Sequence, residues 1–183
     1  MKYLPIIIII LILGVAALAQ ESFTITVTVN YIDFSLRKAD DSAPYDSWEI
    51  GNLDADETTE MSVSTSGTHI LVDNQSNVAL DFDAYSTSAT PTSCEFGTAT
   101  AWSPGAASGA DIYLLEMGKG TVSAVPDVAD YHTMDGGDLT GSNNFYSAIA
   151  GDAFRLYSKL TAPTTVSDGC EHSITVYVVA TTP

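Results

Sequence analysis

The sequence predicts an all-β fold, a β-sandwich of immunoglobulin-like or jelly-roll type that follows a cleaved signal peptide. Three observations lead there. Apolar residues recur with a period of two in segment after segment, Gly, Pro, Asn and Asp cut these segments short, and no stretch carries the 3.6-residue period of an amphipathic helix. The pattern predicts roughly seven to nine strands, with no internal repeat and no domain linker.

Taken in order, Met1 to Pro5 is a short, weakly basic start, and Ile6 to Leu13 is unbroken isoleucine and leucine. This apolar core is short for a membrane span of ~20 residues. Ala17-Leu18-Ala19 has the small-x-small pattern that a signal peptidase reads, so cleavage is expected before Gln20. No basic cluster follows to stop transfer. Residues 1–19 are therefore read as a signal peptide and 20–183 as a single β-sandwich domain, with no stable membrane span after processing.

Phe23, Ile25, Val27 and Val29 alternate with Thr24, Thr26, Thr28 and Asn30, the mark of a half-buried strand over 22–30. The apolar phase then shifts to Ile32, Phe34 and Leu36. A one-residue slip would turn every side chain to the wrong face, so a break near Asn30-Tyr31 is required. Short strands are expected at Trp48–Gly51 and around Met61 and Val63. Another starts between His69 and Val72, and one alternates through Val78, Leu80, Phe82 and Ala84. The turn formers Asp73 to Asn77 suggest that the last two make a hairpin, with Asp81 and Asp83 facing solvent. Ile112 to Leu115, then Phe154, Leu156, Ser158 and Leu160, and finally Ile174, Val176 and Val178 supply the remaining strands.

The chain has 6 Lys and Arg against 23 Asp and Glu, a net charge of −17. Nucleic acids and anionic lipid surfaces need the opposite balance, which excludes both as partners. Chemistry is equally sparse. His69, His132 and His172 have no metal-ligand spacing, and there is neither a nucleophile elbow nor a phosphate loop. Close carboxylate pairs such as Asp81/Asp83 arise by chance in so acidic a chain, so no catalytic residue is assigned and an enzyme is not expected. No cofactor is implied, calcium aside. Its candidate ligands are Asp54 and Asp56 in one oxygen-rich loop and Asp135 and Asp138 in another, neither matching an EF-hand. Asn74-Gln75-Ser76 is a glycosylation sequon with Asn74 as acceptor.

The two cysteines, Cys94 and Cys170, form an even pair in a chain bearing an export signal, which predicts a disulfide. Closing so long a loop is worth roughly 4–5 kcal/mol in the chain-entropy account.

Trp48-Glu49-Ile50-Gly51, Ile70 to Asn74, Ser76 to Asp81 and the closing Ser173 to Thr181 resemble strands of secreted prokaryotic immunoglobulin-like surface proteins. Filament-forming β-sandwich proteins of the TasA and archaeal bundling-pilus kind share this layout, including a strand just after the signal. The resemblance implies an extracellular or cell-surface structural subunit. Strand exchange would assemble it into a homopolymer, with Phe23, Ile25, Val27 and Val29 entering a vacancy left by a missing edge strand in the next copy. The alternative is a monomeric extracellular module binding carbohydrate or protein, with the exposed ones among Tyr85, Trp102, Tyr113 and Tyr131 as its surface.

Overall fold

The computed structural model describes residues 29–95, 97–135 and 146–183. The expected signal peptide, Phe23, Ile25, Val27 and Asp138 lie outside them. The described chain is all-β. Its strands are β1 (Phe34–Lys38), β2 (Thr58–Glu60), β3 (Ile70–Asn74), β4 (Leu80–Ser86), β5 (Thr90–Cys94), β6 (Ser103–Pro104), β7 (Ile112–Gly120), β8 (Tyr131–Thr133), β9 (Tyr146–Ala148), β10 (Ala153–Thr161), β11 (Cys170–Ser173) and β12 (Val176–Thr181), with one 3-10 turn at Val128–Asp130. Several are two- or three-residue pieces too short for alternation to reveal, which is why more strands form than the pattern predicts.

The larger sheet runs β1-β3-β10-β7-β6, with β2 also on β10 and β8 also on β7. The smaller runs β12-β4-β9, and β5 pairs with β11 as a separate ribbon. The two main sheets face each other through alternate side chains. Leu80, Phe82 and Ala84 of β4 are fully buried, as are Val72 of β3 and Leu156 of β10. Phe82 stands edge-on to Phe34 at 5.3 Å and to Phe154 at 5.1 Å, joining β4 to β1 and β10 across the layers. Tyr146 of β9 meets Phe154 at 4.4 Å.

Four expectations need correcting. The strands flanking Asp73–Asn77 are not a hairpin, since β3 belongs to the larger sheet and β4 to the smaller. Their connector crosses between layers, and turn-forming residues serve a crossover as well as a tight turn. Trp48–Gly51 is not a strand; Gly51 has φ +80°, and Trp48 and Ile50 pack on the core from irregular chain. The strand expected around Met61 lies just before it, at Thr58–Glu60. Asp83 is buried rather than solvent-facing, at 8% exposure.

β10 also buries Tyr157 on the face turned away from Leu156. His69 stacks on that ring at 4.8 Å. On its other side Gly120 leaves room, since a Cβ there would sit 2.7 Å from the ring.

Candidate assembly edge

Strand β12 has β4 on one side and, among the described residues, no strand on the other. Its ladder with β4 is continuous from Val176↔Ser86 to Thr181↔Asp81. One step earlier in the same register, the Thr87 amide donates to the Thr175 carbonyl at 3.0 Å. Hydrogen-bonded and non-bonded positions alternate along an antiparallel pair, so Tyr177, Val179 and Thr181 bond to β4. The amides and carbonyls of Val176, Val178 and Ala180 point to the open side. The same three side chains pack against the core yet stay only half-buried, whereas their counterparts on β4 are completely enclosed. Among the described residues, the hydrogen-bonding row in the sheet plane and the apolar row on the core face are thus both left without a neighbouring strand along the same edge.

Other sheet margins are protected in the ways that proteins use against stray pairing. β1 carries Arg37 and Lys38, and the returning chain covers it: Lys38 N–H donates to the Ala43 carbonyl and Tyr45 N–H to the Leu36 carbonyl, both at 2.9 Å. β2, β8 and β9 have three residues each, and β6 has two, one of them Pro104. β5 contains Pro91, and β11 has a register shift between Glu171 and His172. β12 has six residues with no proline, charge or bulge.

The chain enters the described region near this sheet. Val29 to Asp33 belongs to no strand, in keeping with the phase change at Asn30-Tyr31, and it is clamped to the β3–β4 connector. The Asn77 side chain donates to the Val29 carbonyl at 2.9 Å and accepts from Tyr31 N–H at 2.8 Å, while Asp33 N–H donates to Ser76 Oγ at 2.9 Å. Tyr31 Oη donates to Asp33 Oδ2 at 2.8 Å, a bond that, with the carboxylate charge, raises the tyrosine pKa. Val29, the one member of the expected assembly row among the described residues, is 74% exposed.

The remaining site residues are dispersed. Cys94 and Cys170 are bonded, and they are direct register partners closing the β5–β11 ribbon. Asn74 is fully buried, and its Nδ2 donates to the carbonyls of Val78, Ala148 and Ile149 at 3.2, 3.1 and 3.0 Å. A glycan on that nitrogen would displace these bonds. Sequons specify local sequence, and burial is settled by the layers closing over it. Asp54 sits in a turn where the Glu57 carboxylate accepts from its N–H at 2.7 Å, and Asp56 Oδ1 accepts from Ser108 at 2.9 Å. No group of three or more metal-ligating side chains occurs among the described residues, so the loops of Asp54/Asp56 and Asp135 do not converge there.

Of the four aromatic residues named as candidates for a binding surface, Tyr113 is enclosed and the other three are partly buried. Tyr113 is fully buried and donates to Ser86 Oγ and the Thr87 carbonyl. Trp102 stacks on His172 at 3.8 Å. Tyr131 lies under the Lys159 ammonium at 4.5 Å and donates to Glu60, and burial raises its pKa strongly. Tyr85 stacks on Tyr177, its cross-strand partner on β12, at 4.9 Å.

Sequence reasoning pointed neither to the β12 edge nor to the Asn77 clamp. The signal for the edge was the uncharged, proline-free Val176 to Thr181, at the end of a sheet order that only the structure reveals. Comparison with protein-family models finds no match, and comparison with curated proteins finds none either.

Proposed function

We propose that this protein is the subunit of an extracellular filament, in which residues 22–30 of one copy add a strand to the β12 edge of the next. The observation that carries the reading is that edge. Among the described residues, Val176, Val178 and Ala180 have backbone groups that pair with no strand and half-buried apolar side chains along that edge. The alternating row Phe23, Ile25, Val27 and Val29 is complementary to it in period, polarity and length. Main-chain hydrogen bonds would give affinity, and alternate side chains would give register. Val29 supports exchange over an ordinary first strand, because a strand paired within its own domain would bury its apolar row. The disulfide suits an oxidising compartment, and no described helix is long and apolar enough to cross a membrane. The edge also favours the kinship with filament-forming β-sandwich proteins that the sequence suggests.

The test is a pair of substitutions followed by negative-stain microscopy. Val27→Asp places a carboxylate in the inserted row, at a cost of several kcal/mol if buried unpaired, and should abolish fibres while leaving a folded monomer. Thr26→Asp on the outer face should leave fibres intact. If Val27→Asp unfolds the monomer, the strand belongs to its own domain; if both variants assemble like the parent, the row is not inserted.

A second reading, a monomeric binding module, has one observation in its favour. A cleft of about 370 Å³ lies between Tyr45 and Trp48, with Lys38, Asp40, Glu49 and Ser66 among its walls. Two aromatic residues beside polar side chains suit a small polar ligand such as a saccharide. Failure of the wild type to assemble at any concentration would favour this reading.

A further inference from the structure

We infer that the end of the sandwich around the Asn74–Asn77 connector is a second contact between copies, an apolar seat pressed against the subunit that receives the strand. This inference rests on the filament reading and adds to it a surface outside the exchanged strand.

Nine large hydrophobic side chains are exposed among the described residues, and four of them, Val29 at 74%, Tyr31 at 57%, Ile32 at 49% and Ile149 at 70%, gather at this end. Hydrogen bonds establish the grouping. Asn77 holds the Val29 and Tyr31 backbone, Gln75 N–H donates to the Asp33 carbonyl at 3.0 Å, and Asn74 reaches the Ile149 carbonyl at 3.0 Å. Scattered exposed hydrophobes need no explanation, but four whose backbones are held around one connector mark a candidate interaction surface.

The occupant follows from how the chain leaves this surface. The alternating row runs from Phe23 to Val29 directly into the group, with no Gly, Pro or polar spacer before Val29. A strand advances only ~3.3 Å per residue. A neighbour that pairs with residues 22–28 is therefore held within a few ångströms of Val29, and Tyr31, Ile32 and Ile149 meet it. A lipid surface or an unrelated protein has no such tether. The hydrogen bonds that pin Val29–Asp33 to the connector hold the seat at a set position on its own domain, so strand docking and seating reinforce each other.

The test uses Ile149→Asp, since Ile149 lies outside the exchanged strand and is exposed enough for the substitution to leave the monomer folded. Val128→Asp adds the same charge at another exposed valine, in the 3-10 turn, 85% exposed. The critical concentration for assembly should rise at least ten-fold for Ile149→Asp, with an unchanged monomer melting temperature, and stay at the wild-type value for Val128→Asp. Equal effects of the two would reduce the result to net charge and overturn the seat. So would wild-type assembly of Ile149→Asp, and if Val27→Asp still failed in the same assay, strand exchange would stand without the seat. Assembly of Val27→Asp, or no assembly by the wild type, would overturn both.

Discussion

Asn74 and Ile149 are joined across the two layers of the sandwich: the buried amide at the end of β3 donates to the carbonyl just past β9, 3.0 Å away. The same nitrogen serves Val78 and Ala148, its Oδ1 accepts from Ser76 N–H at 3.0 Å, and the Asn74 carbonyl accepts from Gly151 N–H at 3.0 Å. One side chain thus satisfies the backbone of the crossover and of the strand that ends beside it.

Asn74→Ala should therefore destabilise the fold by about 2–3 kcal/mol, because buried carbonyls lose their donor without gaining water. Chemical denaturation checks the value. Intact mass of material made in a glycosylating host should show no glycan at Asn74 in folded protein; a glycosylated, natively stable product would contradict the packing.

The Cys94–Cys170 bond joins positions 76 residues apart at one end of a two-stranded ribbon that is otherwise tied down by the Trp102–His172 stack. Non-reducing peptide mapping should recover the two peptides linked. Cys170→Ser should cost about 2–4 kcal/mol, with the first loss of hydrogen-exchange protection in β5 and β11. Loss of protection beginning instead in β4 or β10 would show that the bond anchors the main sheets.

His69 is buried, its Nδ1 donating to the Ser62 carbonyl at 3.2 Å and its Nε2 without a hydrogen-bond partner among the described residues. Burial pushes its pKa below the ordinary 6.5. The unfolded chain therefore takes up a proton at a pH where the folded chain does not, and the linked stability is present above pH 6.5 and lost as pH falls toward the folded pKa. Urea midpoints should decline from pH 7 to pH 5, and His69→Phe, which keeps a ring on Tyr157, should flatten that decline. An identical slope in the variant would place the acid sensitivity elsewhere.

A net charge of −17 makes copies repel before they touch. Screening shortens that repulsion, with a Debye length of about 30 Å at 0.01 M salt and about 10 Å at 0.1 M. Assembly should accelerate several-fold between those salt concentrations by light scattering. Calcium and magnesium at equal ionic strength should act alike; acceleration by calcium alone would point to a site in the Asp54/Asp56 or Asp135/Asp138 loops.

Much of this protein could be read from one-dimensional pattern. Alternation assigned core-facing positions on β4, β10 and β12, because side-chain direction in a strand depends only on parity. The even cysteine pair proved bonded.

Parity says nothing about which strand lies beside which. Only the tertiary structure separated β3 from β4 into different sheets and, among the described residues, gave β12 a neighbouring strand on one side alone. The same limit hid the fates of Asn74 and Tyr113, a sequon and a supposed surface ring that are both wholly enclosed. A residue's own sequence neighbours set its direction, but the elements that fold over it from far along the chain set its burial. The β12 edge is a property of sheet order, decided by contacts between strands remote in sequence, whereas the alternation of Phe23, Ile25, Val27 and Val29 is a property of one segment and is legible in the sequence.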